Sequence, residues 1–111
     1  MDFFQYKNEQ LYVEDLPVKQ LAEEFGTPLY VYSQSALTEA FENYQTAFAA
    51  LSPLVCYAVK ANGNLSIIKH FASLGSGFDI VSGGELARVL AAGGDAAHDC
   101  SASPWWISPS I

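Results

Sequence analysis

The chain has 111 residues, half of them hydrophobic and 15% charged, with a formal net charge of −7. That length allows one small domain at most, and that balance of apolar and charged residues excludes a disordered chain. No apolar run is long enough to span a bilayer, and the acid excess, concentrated before Gln45, argues against nucleic acid or an anionic membrane as partner, because both recruit basic patches.

The opening Met-Asp-Phe-Phe-Gln-Tyr-Lys has neither the basic start nor the long apolar core of a signal peptide, so the expected compartment is cytoplasmic. Phe3 to Val13 carries aromatic and apolar positions around Asn8-Glu9-Gln10, a pattern of two short extended pieces joined by a turn. Pro17 suits the first position of a helix. Val18, Leu21, Ala22 and Phe25 recur at i, i+3, i+4 and i+7 before Gly26, which predicts an amphipathic helix with Glu23 and Glu24 toward water. Leu29 to Tyr32 reads as a short strand entered through Thr27-Pro28. Ser33 or Ser35 can cap the next helix, whose stripe of Leu37, Phe41, Tyr44, Phe48 and Leu51 predicts packing of helix on sheet. Ser52-Pro53 stops it.

Leu54 to Asn62, an apolar run closed by Lys60, is too short for a helix and reads as a buried strand. Without polar alternation it is expected to be covered on both faces, as in a parallel sheet dressed with helices. Alternation puts Cys56 and Ala58 on the face of Lys60, leaving room there. Val55, Tyr57 and Val59 take the opposite face, against helices. A lysine at the C-terminal end of a parallel strand is a candidate catalytic amine, and partial desolvation there favours its neutral form; the alternative is a lysine that only ends a strand and reaches to water.

Asn64 is placed to cap a helix carrying Leu65, Ile67, Ile68, Phe71, Ala72 and Leu74 and closed by Gly75. His70 within it reads as a satisfied or solvent-facing side chain. Gly75-Ser76-Gly77 precedes a strand and opens no helix, so it fails the test for a dinucleotide loop. The next strand, Phe78 to Val81, contains Asp79. A buried carboxylate needs a cationic partner, and the neighbouring strand offers Lys60; an edge-strand aspartate reaching water is the alternative. Ser82-Gly83-Gly84-Glu85 has capping-box spacing, with Val81 and Leu86 set for the accompanying staple, and the helix runs through Val89 and Leu90 to Gly93-Gly94. Its glycine amides also suit an anion, although capping explains Ser82 and Glu85 without one. Cys56 reads as a small buried hydrophobe; with Cys100 it has no metal-ligand spacing. From His98 the pattern breaks, and the tail, with both tryptophans, is not expected to fill the strand position that the rhythm demands. A shifted reading frame or a premature end of a longer gene accounts for such a tail.

Three stretches in order, Phe-Gly-Thr-Pro-Leu-Tyr-Val-Tyr at 25–32, Tyr-Ala-Val-Lys-Ala-Asn at 57–62 and Phe-Asp-Ile-Val-Ser-Gly-Gly-Glu-Leu at 78–86, closely resemble the pyridoxal-phosphate-dependent diaminopimelate decarboxylases. These belong with the barrel-type ornithine and arginine decarboxylases, and the resemblance runs from about Val13 to Ala97. It implies an α/β chain forming a partial (β/α)8 TIM-like barrel of the alanine racemase/decarboxylase type, truncated after about three strands where a closed barrel needs roughly 250 residues. Residues 1–15 would be a leading extended segment, 16–97 the N-terminal part of the cofactor-binding barrel and 98–111 an irregular divergent tail. The implied cofactor is pyridoxal 5′-phosphate, held by catalytic Lys60 as a Schiff base with Asp79 beside it.

The implied substrate is a small amino acid, meso-diaminopimelate, converted to L-lysine and CO2 in lysine biosynthesis. Ile-Val-Ser-Gly-Gly-Glu-Leu favours it over ornithine or arginine. The full-length family is homodimeric. Its ring-stacking histidine, pyridine-nitrogen acid and phosphate loop all lie downstream, so catalysis by these 111 residues alone is not expected. Two main readings stand: a carboxy-lyase that acts at full length or when complemented, and a non-catalytic truncated or frameshifted remnant. Another pyridoxal-phosphate barrel decarboxylase or racemase is a third.

Overall fold

The computed structural model describes residues 2–95, Ala97 and the backbone of Asp99–Ser101. The chain divides into two compact units between Glu42 and Asn43.

In the first unit, β1 (Phe4–Lys7), β2 (Gln10–Val13) and β3 (Leu16–Pro17) form an antiparallel meander, with Phe4 opposite Val13 and Lys7 opposite Gln10. The turn between β1 and β2 needs two residues in the left-handed region, and Asn8 and Glu9 supply them at φ of 50° and 64°. Pro17 closes β3 and caps α1 (Val18–Phe25), which packs on β2 and β3. β3 ties the leading segment to the helix that follows it.

Helix α2 (Gln34–Ala47) starts at Ser33, whose Oγ accepts a hydrogen bond from Ala36 N at 3.0 Å. Ser33 in turn donates to Glu14 Oε1 at 2.7 Å, and Ser35 N donates to the same oxygen at 3.0 Å. Glu14 thus fastens the end of β2 to the first turn of α2. These bonds, the Ser33 hydroxyl foremost, hold its carboxyl below the ordinary glutamate value.

In the second unit, β4 (Cys56–Ala58), β5 (Gly77–Ile80) and β6 (Asp99–Ser101) form a parallel sheet with β5 in the centre. Helices α3 (Leu65–Ser73) and α4 (Gly83–Ala91) make the crossovers, as parallel pairing requires. Ile68, Phe78 and Val89 are each 0% exposed and form the core between strand and helices. Tyr57 stacks on Phe71 at 4.4 Å and meets Phe78 edge-on at 6.4 Å, so the bulky face of β4 packs against α3 as expected.

Several expectations are corrected. Leu29–Tyr32 is no strand: among the described residues it has no ladder partner, and Tyr30 stays 87% exposed. The stripe on α2 is buried at Phe41 and half-buried at Leu37; Tyr44 and Phe48 are exposed, as is Leu51 in the short 3-10 turn Ala49–Leu51, since no described element covers them. Cys56 is half-buried, not fully buried as expected. The tail does supply a strand, Asp99–Ser101, since the parallel ladder is built from backbone groups and needs no apolar side chain. The rest of the tail, 102–111, lies outside the described residues.

Two outcomes follow from this packing. A methyl on Gly94 would drive into the Val89 side chain and come within 3.1 Å of Phe78 Cε2. Gly94→Ala is expected to cost about 1–3 kcal/mol by urea unfolding. Glu14→Gln is expected to lower the thermal midpoint at pH 7, and the difference from the parent is expected to shrink as the pH is lowered. The carboxyl is lowered on folding, so its contribution is present above its unfolded value, about pH 4.3, and fades as pH falls through the folded one.

Candidate functional site

The β4 strand ends two residues before Lys60, and Val59–Ala61 turn as a 3-10 segment into the cap of α3. The strict alternation that put Lys60 on the face of Cys56 and Ala58 therefore stops at Ala58. Val59 is 2% exposed and anchors the turn, while Lys60 stands in solvent. The desolvation expected of this amine is not supplied by the described residues.

Asp79 lies on the neighbouring strand. Register pairs Cys56 with Gly77 and Ala58 with Asp79, so these four share one face of the sheet, and Phe78 and Ile80 point into the core on the other. That shared face carries small side chains around one carboxylate, and Lys60 leaves the sheet two residues past the partner of Asp79. The two are brought to the same end of adjacent strands, but no ion pair within 4.0 Å joins them among the described residues. Asp79 is half-buried, so the cationic partner that full burial would have demanded is not required.

The loop after Lys60 is tightly built. Tyr57 Oη donates to Asn62 O at 2.9 Å, Asn64 N donates to Asn62 Oδ1 at 2.9 Å, and Asn64 Oδ1 accepts from Ser66 N at 2.9 Å, the cap expected for α3. Arg88 Nη1 reaches from α4 to Gly63 O at 3.1 Å. Neither Tyr57 nor Arg88 was singled out for this from sequence. The tyrosine hydroxyl in an apolar strand was a usable signal, because a part-buried hydroxyl seeks a partner; Arg88 gave none.

At the start of α4, Glu85 N donates to Ser82 Oγ at 3.2 Å, and Glu85 Oε2 accepts from Val81 N at 2.7 Å. The capping box is formed, its return bond going one residue further back than the usual pattern. With the Glu85 carboxylate seated there, this helix start is satisfied by its own side chains and repels an anion. His70, on α3, is half-buried beside Phe71, with ring centroids 6.1 Å apart.

Comparison with known proteins bears on this site. Residues 34–104, a segment that includes Lys60 and Asp79, match the family described as pyridoxal-dependent decarboxylase, pyridoxal binding domain. A diaminopimelate decarboxylase of Neisseria meningitidis serogroup B is 88% identical over 87 residues, which make up 78% of this chain and 21% of that protein. One of Haemophilus influenzae is 58% identical over 96 residues, covering 86% of this chain and 23% of the relative. Among solved structures, a protein of Aquifex aeolicus superposes with a TM-score of 0.85 at 44% identity, over 89% of this chain and 24% of its own. The diaminopimelate decarboxylase of M. jannaschii in complex with L-lysine gives 0.84 at 33% identity, over 90% and 26%. The chain thus spans about a quarter of the length of the relatives it matches.

The Ser82 cap is testable alone. Ser82→Ala is expected to cost about 1 kcal/mol in urea unfolding, and added inorganic phosphate should not restore it.

Proposed function

The chain belongs to the pyridoxal-dependent decarboxylases, and from that membership we propose that it is part of the pyridoxal-binding barrel of a diaminopimelate decarboxylase, with Lys60 as the residue that holds the cofactor. The observation that carries this reading is the position of Lys60: a solvent-facing amine at the C-terminal end of a parallel strand, next to a strand bearing Asp79 on its open face. Active sites of β/α barrels are built from the loops at that end.

The residues present suit the group. Pyridoxal phosphate, when bound, offers an aldehyde to an amine and a ring that draws off the electrons left by a departing carboxylate. Lys60 supplies the amine. The small side chains of Cys56 and Ala58, with Gly77, leave the face beside it open for a planar ring. Asp79 puts a carboxylate on that face, where it attracts an ammonium group. The formed capping box argues against Ser82-Gly83-Gly84 as the phosphate cradle, so that contact falls to residues elsewhere in a complete barrel.

In the whole enzyme, meso-diaminopimelate would lose CO2 to give L-lysine. A closed barrel needs roughly 250 residues, and the parallel sheet here has three strands. The Tyr44, Phe48 and Leu51 side chains left exposed favour a second reading for this chain acting by itself, a remnant without turnover.

Mixing the chain with pyridoxal phosphate, reducing with borohydride and mapping the modified peptides tests the assignment. Condensation at an amine expels one water, and borohydride delivers the hydride that fixes the product. Label is expected on Lys60 at least about fivefold over Lys69, and Lys60→Ala should remove it while Lys7, Lys19 and Lys69 keep their background. Equal labelling of all four lysines overturns the assignment. CO2 release from meso-diaminopimelate by the chain alone would overturn the remnant reading instead.

A further inference from the structure

We propose that Arg88 is a positioning residue for the Lys60 turn, a role that rests on the reading of Lys60 as the cofactor amine. The turn from β4 into α3 is short, and most of what fixes it is local: Tyr57 to Asn62, Asn64 to Asn62, and the Asn64 cap. All of those partners move together if α3 shifts. Among the described residues, the bond that reaches this loop from outside the strand–turn–helix unit runs from Arg88 Nη1 to Gly63 O, across 25 residues of sequence. Gly77 N donates to Val55 O at 2.9 Å and, with the β4–β5 ladder, fastens the strand to the next β–α unit, while Arg88 fastens the turn to it.

Arg88 belongs to α4, the helix that follows Asp79, and its neighbour Val89 is 0% exposed. The arginine is therefore carried by a helix locked into the core, while its guanidinium lies in solvent over the turn. A methyl built on Gly63 would sit 3.5 Å from Arg88 Cδ, so the aliphatic stem covers the loop as well as the head group bonding it. The consequence is geometric. Lys60 sits three residues before the clipped carbonyl and Asp79 four residues before Gly83, the first residue of α4, so the clip sets the spacing between the amine-bearing turn and the acid-bearing strand. The simpler role of Arg88, a cation in the last turn of α4 opposing the helix dipole, would stabilise the helix without touching the turn.

The two roles separate in Arg88→Met, which keeps the stem and loses the donor, and Arg88→Lys, which keeps a cationic donor. The full chain is labelled with pyridoxal phosphate and borohydride, and the Lys60-to-Lys69 ratio is read by peptide mapping; Lys69, on α3, is the internal reference. Arg88→Met is expected to lower that ratio roughly fivefold, and Arg88→Lys to restore about half of it. Amide exchange is measured alongside. The Asn64 amide should exchange about tenfold faster in Arg88→Met, with Ala72 in α3 unchanged. An unchanged Asn64 amide in a folded Arg88→Met chain overturns the clip. A faster Asn64 amide with an unchanged labelling ratio overturns its role in positioning Lys60. If the parent chain itself shows no preference for Lys60, the cofactor assignment fails, and the exchange result still decides whether Arg88 holds the turn.

Discussion

Withdrawal of the Phe78 ring from water is the constraint on which the second unit depends. Phe78 lies on the central strand, fully buried, with Tyr57 against its edge and Val89 and Gly94 close by. A ring of that size is worth a few kcal/mol only if strand and helices close over it together. Closing over it sets β4 beside β5 in one register, and Ala58 beside Asp79 follows from that register. The candidate site is a by-product of core packing on the other side of the same sheet.

The two faces of that sheet have opposite demands. One is filled by aromatic and branched side chains and covered by α3 and α4. The other carries Cys56, Ala58, Gly77 and Asp79, side chains too small or too polar to attract a helix. Such a face is unfavourable to leave open in a stable domain, yet it is what a flat ligand needs. Lys60 stands at its rim on a turn held by Tyr57, Asn62 and Arg88, so an exposed side chain rises from a fastened base. That division suits an amine that must reach a bound group and also let go of it.

Local signals were legible wherever a feature depends on residues close in sequence. The Asn8-Glu9 turn, the extent of α1, the Asn64 cap and the Ser82–Glu85 pair came out as read, because each closes its hydrogen bonds within a few residues, whereas Phe25 of the α1 stripe is exposed. The family resemblance carried by the stretches around Lys60 and Asp79 was legible from residue order alone, and the family match over residues 34–104 agrees with that family. Readings that needed a distant partner did less well. Leu29–Tyr32 has strand composition but no ladder partner among the described residues, and the aromatic stripe of α2 is mostly uncovered. Asp99–Ser101 has no strand pattern and pairs all the same, since backbone amides on β5 are indifferent to side-chain identity.

By itself, then, the order of residues determined the helices and their caps, the apolar lysine strand and the neighbouring acid, since periodicity and capping act over one or two turns. Tertiary structure alone decided that β4 stops at Ala58, that Lys60 is in solvent with Asp79 unpaired to it, and that Arg88 reaches Gly63. It also decided that Gly94 must lack a side chain, because the Val89 and Phe78 side chains occupy that space. Each of these is a meeting of segments far apart in the chain, governed by which surfaces exclude water together, and no local pattern encodes it.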